Sequence, residues 1–365
     1  MTRRNFLTRG ALGAGIACSS ALTTSAGPWK KPAPLGLNTY CLRALKWNDR
    51  QLIEYAASLK LDAIFLQDSL DPATASAAHW AEVRSISKDL GLHLETGGGG
   101  IFVKGPENHQ AAVENLRYQI TRAQAMGSPL IRVVIASSRA QLPPQPPERT
   151  LEKVADVFRS VREQVKDAGM KIALEVHKDF QAWEFKNLVE AAGPEYVGIY
   201  MDTGNPVYVL EHPLTTLETL APYIVTLHLR DSVVYEHKRG VAVQWVPLGE
   251  GIVDFKEILA KAEALVGDVY VYVKPITGRP PDVLPYLEQD FWKLYPRARS
   301  SEFARFLSLA KKGSPYEGHV VIEDLQGRAT PAHFAEAIRY QQREHMERSV
   351  EYAKRTLDLG QRWRT

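Results

Sequence analysis

Three short stretches of this chain end in side chains that can do chemistry. KIALEVHKD closes with Glu175, His177 and Lys178, VGIYMDTGN with Asp202 and Asn205, and IVTLHLRD with His228, Arg230 and Asp231. Side chains alternate along an extended strand, so Glu175 and His177 share one face, as do His228 and Arg230. Glu, Asp and His taken together form a mixed oxygen and nitrogen donor set. Such a set suits Mn²⁺, Mg²⁺, Co²⁺ or Zn²⁺ with open positions for water or substrate. Taken singly, each residue has a plainer reading. A strand-end His is more often a satisfied polar residue than a ligand, and an Asp before Thr-Gly-Asn is often a turn former. The conjunction on consecutive stretches is what points to a site.

Those residues need elements to position them. Apolar runs of strand length fall at Leu35–Leu42, Ala63–Gln67, Leu92–Thr96, Leu130–Ala136, Lys171–Val176, Val197–Asp202, Ile224–Leu229 and Val269–Lys274. Segments of helical period separate them. Leu151, Val154, Phe158, Val161 and Val165 form the clearest stripe, with Thr150 as its expected N-cap; another runs from Val113 to Ala123 and ends near Gly127. The last three runs are apolar on both faces, as in a parallel sheet covered by helices. Regular alternation of eight strands with helices predicts an α/β fold, a closed (β/α)8 TIM barrel over residues 33–279. Its site lies at the carboxyl ends of the strands. An open doubly wound sheet is the alternative, weakened because no GxGxxG follows the first strand. The glycines Gly97–Gly100 read as a mobile loop or an anion cradle. Residues 232–251, containing VAVQWVPLGEG, read as an inserted hairpin or lid. Residues 280–365 form a C-terminal helical extension with three open placements: a final helix on the barrel, a cover over the pocket, or a homo-oligomer contact.

Composition bounds the function classes. The 365 residues are 45% hydrophobic and 24% charged, an ordinary globular balance, with a formal charge of +3. That excess resides in Arg3, Arg4 and Arg9 of MTRRNFLTRGALGAGIACSSALTTSA, and the chain after Ala26 is neutral. It therefore has no basic surplus to attract nucleic acid or an anionic membrane. This also weighs against an abasic-site endonuclease, which needs a basic face. The leader has a basic start, a mildly apolar stretch and small residues at Thr24-Ser25-Ala26, the anatomy of an export signal. Thr2-Arg3-Arg4-Asn5-Phe6-Leu7 resembles a twin-arginine signal, so residues 1–26 predict periplasmic export of a folded protein. A lipoprotein reading through Cys18 is weaker. Cleavage after Ala26 leaves Cys41 as the sole cysteine, without an intramolecular disulfide or thiolate cluster. No later segment approaches the ~20 apolar residues of a membrane span.

LEVHKDF, GIYMDTGNPVYVLEHPLTTLETLAPYIVTLHLRD and VPLGEGIVDF together resemble the sugar phosphate isomerase/epimerase family, with xylose isomerase-like barrels. That family includes ketose 3-epimerases, inosose dehydratases, hydroxypyruvate isomerases and some 3-keto-sugar lyases or decarboxylases. The resemblance spans residues 35–280 and is densest from Glu175 to Phe255. It implies one divalent ion, Mn, Mg, Co or Zn, held by Glu175, Asp202 and His228, three of the usual four ligands. It also implies proton transfer beside a carbonyl through an enediolate, on a small-molecule keto-sugar or sugar acid. In the epimerases the fourth ligand is a Glu ending strand eight, which shares the acid/base work with the strand-five Glu.

Here strand eight reads VYVYVKPITGRPP, and Lys274 stands where that Glu would. Three readings are open. Lys274 serves as an acid/base or oxyanion partner beside a retained metal; its ammonium replaces the metal, ion-paired to Glu175 and Asp202, in a non-catalytic carbohydrate-binding barrel; or its stem snorkels to solvent. Two-carboxylate epimerisation loses ground under all three. Glu175, Lys274 and His177 are the expected catalytic residues. Asn38, Tyr40, Glu95, Lys178, Asn205, Arg230, Trp245 and Glu250 are expected to hold substrate. Trp183 and Tyr208 are further candidates for stacking on a sugar, and Glu323 in the tail is a distant candidate for the fourth ligand.

Overall fold

The computed structural model describes residues 32–67, 75–101, 108–142, 146–317, 322–323 and 329–365. The leader of residues 1–26, with Cys18, and part of the PPQPP stretch lie outside them. Eight parallel strands close a barrel: β1 (Leu35–Asn38), β2 (Ala63–Gln67), β3 (His93–Gly100), β4 (Leu130–Val134), β5 (Lys171–Glu175), β6 (Val197–Asp202), β7 (Ile224–Leu229) and, after a hairpin of β8 (Asp231–His237) and β9 (Gly240–Val246), β10 (Val271–Val273). Pairing of β10 with β7 on one side and β1 on the other closes the ring, with Leu227 opposite Val271 and Leu35 opposite Val271. Each outward strand face meets helices, and the apolar residues between them form the core.

The helices are α1 (Asp49–Ser58), α2 (Ala77–Asp89), α3 (His109–Met126), α4 (Pro147–Ser160), α5 (Arg162–Asp167), α6 (Ala182–Ala192), α7 (Pro213–Leu220), α8 (Phe255–Leu265), α9 (Ser300–Ala310) and α10 (Ala332–Arg355). The stripe from Leu151 to Val165 is buried as its period requires. Its helix, however, opens at Pro147 rather than after Thr150, because a first-turn proline has no N–H to leave unsatisfied. It also breaks at Val161, where φ is −114°, so the stripe is shared between α4 and α5. The first strand is shorter than its apolar run. Asn38 accepts a hydrogen bond from the Tyr40 N–H (3.0 Å) and turns the chain into a 3-10 helix over Thr39–Leu45.

The insertion is the hairpin β8–β9, extended antiparallel by β11 (Asp282–Leu284) into a three-stranded sheet beside the barrel mouth. Asp231 anchors the loop that follows. Its carboxylate accepts from the backbone N–H groups of Ser232, Gly249, Gly251 and Val253 at 2.9–3.1 Å. This contact explains why the HLRD and PLGEG stretches belong together. The tail's long helix packs on the barrel as a final helix, while residues 280–295 reach the barrel mouth. Along α10, Gln342 accepts from Ala44 N–H (2.8 Å), Ser349 accepts from Leu248 N–H (3.2 Å), and Lys354 donates to Leu59 C=O (2.6 Å). Among the described residues no helix is long and apolar enough to cross a membrane.

Candidate active site

The strand ends meet in a cavity of about 520 Å³. At its floor five charged side chains form one buried cluster. Glu175, ending β5, accepts from Lys274 Nζ on Oε1 (2.9 Å) and from Arg132 Nε on Oε2 (2.5 Å). Asp202, ending β6, has Oδ2 3.2 Å from Lys274 Nζ and 3.1 Å from Arg230 Nη2. Its Oδ1 accepts from Gly204 N–H (3.0 Å) and Asn205 N–H (3.1 Å). Arg132 also donates to the Gly98 carbonyl, and Arg230 to Asn205 Oδ1 (3.0 Å). Lys274 and Arg230 are buried, as are both carboxylates.

Two glycines make room for the arginines. A Cβ at Gly97 would stand 2.3 Å from Arg132 Cβ, and one at Gly204 would stand 2.8 Å from Arg230 Cγ. Gly97–Gly100 is thus the end of β3, giving space and a carbonyl to Arg132, where a mobile loop or anion cradle was expected.

The electrostatics follow from this crowding. Burial alone would raise the Glu175 carboxyl, but Arg132 and Lys274 outweigh it and hold the group well below its usual value. Burial lowers the Lys274 ammonium; Glu175 opposes that shift and Arg230 adds to it. His177 is pushed down to about 3, chiefly by burial, so its imidazole is neutral. Among the described residues the cavity wall carries Arg132, Lys178, Arg230, Lys274 and Arg279 against Glu175 and Asp282, a basic surplus. Lys178 sits between the rings of Tyr208 (4.7 Å) and Trp245 (4.8 Å) and pairs with Asp282 (3.1 Å).

Glu175, Lys274, His177, Tyr40, Lys178, Arg230, Trp245 and Tyr208 therefore share this cavity. Several expected residues do not line it. Asn38 points into the barrel and donates to the Tyr200 hydroxyl (3.1 Å). Glu95 lies deeper, accepting from Thr226 Oγ1 (2.7 Å) near His93, with its carboxyl raised chiefly by burial. Asn205 lies behind the wall, holding Arg230 and donating to Val176 C=O (2.9 Å). Glu250 faces α10, paired with Arg348 at 2.9 Å and with the Tyr316 hydroxyl. Trp183 stacks on Arg297 on the outer helical layer. Glu323 is exposed, outside the cavity wall. Alternation along a strand says which residues share a face, whereas strand tilt decides how high each stands in the barrel.

Arg132 was missed in the sequence. Its signal was present: a lone charge inside the apolar strand LIRVV, one strand before Glu175.

The donor set does not fit the divalent ion that the resemblance implies. His228 is buried inside the barrel, stacked between Tyr200 (3.7 Å) and Tyr272 (4.6 Å). Its Nε2 lies 3.3 Å from Thr226 Oγ1. Glu175 and Asp202 are already engaged by three cations, and the Lys274 ammonium bridges them. Among the described residues no three His, Cys, Asp or Glu side chains converge on one point. The Lys274 stem does not reach solvent; its ammonium is buried beside both carboxylates.

A closed parallel barrel with its polar cluster at the strand ends defines a TIM-barrel protein with a site at its mouth. A family profile described as xylose isomerase-like TIM barrel matches residues 53–270, and the chain belongs to that family. It is similar to the uncharacterized protein YihM of Escherichia coli (strain K12), 29% identical over 118 residues, 32% of this chain and 36% of that protein. The match thus spans about a third of that relative's length. It is also similar to a 3-oxo-isoapionate decarboxylase of Pectobacterium atrosepticum, 24% identical over 240 residues, 64% of this chain and 77% of that one. Among solved structures, a D-psicose 3-epimerase determined in the presence of D-fructose superposes with a TM-score of 0.56 at 16% identity, covering 88% of this chain and 98% of the other. The IolI protein with a bound zinc atom superposes with a TM-score of 0.54 at 14% identity, covering 77% and 99%. At these identities the structures share the fold.

Proposed function

We propose that this chain is an enzyme that acts on an oxo sugar acid beside its carbonyl, by decarboxylation or a related elimination, and without a divalent ion. The observation that carries the reading is the third cation of the floor. Arg132 and Arg230 already pair with Glu175 and Asp202, and Lys274 adds a buried positive charge that no third carboxylate balances among the described residues. Burying an unbalanced ammonium is costly, so a fold that retains one gains from an anion brought by the ligand. The basic surplus of the cavity wall attracts a carboxylate substrate, and the oxyanion that forms on it as CO2 leaves meets that need.

The reaction class follows from the carboxylates. Abstraction of a carbon-bound proton calls for a base whose pKa lies near the working pH. Glu175 is held well below that range and His177 sits at about 3, so both are weak bases. Loss of CO2 from an acid with a ketone two carbons from the carboxyl needs no such base. The electron pair of the breaking C–C bond moves onto the ketone oxygen, and a proton then joins the carbon. What the step requires is a fixed positive charge at the developing oxyanion, which Lys274 supplies as a hydrogen-bond donor. Similarity to a protein named as a decarboxylase of an oxo acid supports the same class.

A panel of 3-oxo sugar acids and neutral ketoses, scored for CO2 release and for isomerised or epimerised product, tests this. Turnover is expected only with the acids. Isomerisation or epimerisation of neutral ketoses alone would overturn it. Tight binding of the acids with no turnover in any assay would favour the non-catalytic binding barrel, to which full ion pairing of both carboxylates lends support. Export through residues 1–26 belongs to the same proposal, and a reporter fused to them should reach the periplasm only when Arg3 and Arg4 are intact.

A further inference from the structure

A second cavity of about 550 Å³ opens beside the first. The two share Ser137, Lys178, Tyr208 and Asp282, and the Lys178–Asp282 ion pair (3.1 Å) stands at their boundary. The second chamber is walled by the turn after β4, by β11 and by the 3-10 helix over Gln289–Leu294. Its character differs from the first. The largely buried rings of Phe291 and Tyr295 contribute to its wall with the shared Tyr208, and Ser138 and Gln141 line it as well. Among its described residues the arginine is Arg139, whose Nε and Nη1 are engaged: it donates to Glu184 Oε2 (2.6 Å), Asp179 C=O (3.1 Å) and Leu294 C=O (2.8 Å), with its guanidinium over the Tyr295 ring at 4.9 Å. Beyond the boundary pair, the charged side chain that the described residues bring to this chamber, Arg139, is already paired with Glu184. Each cavity alone has the size of a small-ligand pocket.

We infer that the second chamber is a subsite for an uncharged sugar ring, so that the substrate is a glycosylated sugar acid whose acid unit occupies the cationic floor. This rests on the acid-binding reading above. Aromatic faces with hydroxyl and amide groups at their edges suit a pyranose, whose C–H face is apolar and whose rim is polar. Lys178 marks the passage. Its ammonium is held by two rings and a carboxylate, leaving the acid unit on one side and the neutral ring on the other.

Calorimetric binding of gluconate against its glycosylated forms cellobionate, maltobionate and lactobionate separates the possibilities. At least one of the three disaccharide acids is expected to bind at least about tenfold tighter than gluconate, about 1.4 kcal/mol. Ala140→Trp and, independently, Val283→Trp should abolish that gain and leave gluconate affinity within about twofold. Both positions line the chamber without forming part of the charged cluster, and thermal melting checks that each variant folds. Equal affinity for gluconate and all three disaccharide acids would overturn the subsite and leave the acid-binding reading intact. So would gains that survive both tryptophans. Failure of every acid to bind would sink the reading beneath it as well.

Discussion

Lys274 Nζ lies 2.9 Å from Glu175 Oε1 at the buried floor of the barrel mouth, and the same ammonium reaches Asp202 at 3.2 Å. The two carboxylates also hold Arg132 and Arg230, so removing Lys274 would leave two anions facing two cations. This inequality separates the members of the cluster that balance one another from the one that the proposed acid substrate would balance.

Lys274→Met should therefore cost little stability, within about 1 kcal/mol, since an apolar chain of similar volume replaces a desolvated charge and the remaining pairs balance. Glu175→Gln should cost on the order of 3–5 kcal/mol, because it strands Arg132 without a carboxylate and leaves Lys274 and Arg230 to share Asp202. Urea unfolding of both variants checks the asymmetry. Activity should be lost in Lys274→Met despite its stability. Destabilisation of Lys274→Met as large as that of Glu175→Gln would make the lysine a structural counter-ion instead.

Chelation should leave the protein unchanged. Protein purified without chelator is expected to carry substoichiometric Mn, Co, Zn and Mg by elemental analysis, with the same melting temperature before and after EDTA. Stoichiometric metal that disappears in Asp202→Ala would show that the ammonium yields its place to an ion. Lys274→Glu would supply the carboxylate that the resemblance implies for this strand end, and a gain of metal by that variant would locate the ammonium at the ion's position.

Gly97→Ala should disturb the site from behind. The added methyl would meet the Arg132 Cβ and backbone, with the nearest atom 2.3 Å from the ideal position. Overpacking of this kind typically costs about 1–3 kcal/mol, and here relief requires moving Arg132 off Glu175. Thermal melting and turnover should fall together. A fully stable and active Gly97→Ala protein would mean that the β3–β4 register yields easily.

Glu211 gives the pH dependence of stability a definite sign. Buried against Ala182 N–H and Thr216 Oγ1, its carboxyl is pushed up from 4.5 to about 8, chiefly by burial. The folded state keeps a proton that the unfolded chain has released. Its contribution is therefore fully present below about pH 4.5 and lost as pH rises through about 8. Glutamine cannot ionise, so the stability of Glu211→Gln relative to the parent should improve steadily across that window. Melting both proteins across the pH range checks it; a constant difference would mean that Glu211 is ionised in the fold.

Much of this protein was legible before any coordinates. Alternation of apolar runs with helical stripes implied the barrel, because a parallel sheet must be covered on its outer face and closed or capped at its edges. The same runs placed Glu175, Asp202 and Lys274 at strand ends on one side of the barrel, since those residues follow the last apolar position of their strands. Tertiary structure decided the rest. Whether His228 could reach the carboxylates depended on the Tyr200 and Tyr272 rings that clamp it. Whether Glu95 and Asn38 stood in the mouth or below it depended on strand tilt, which sequence spacing does not encode. Arg132 became visible as a partner of Glu175 only once β4 and β5 lay side by side. A chain written in one dimension shows which residues carry charge and which face of a strand they share. Which charges meet, and so whether two carboxylates hold an ion or an ammonium, is settled by distances across strands that are far apart in sequence.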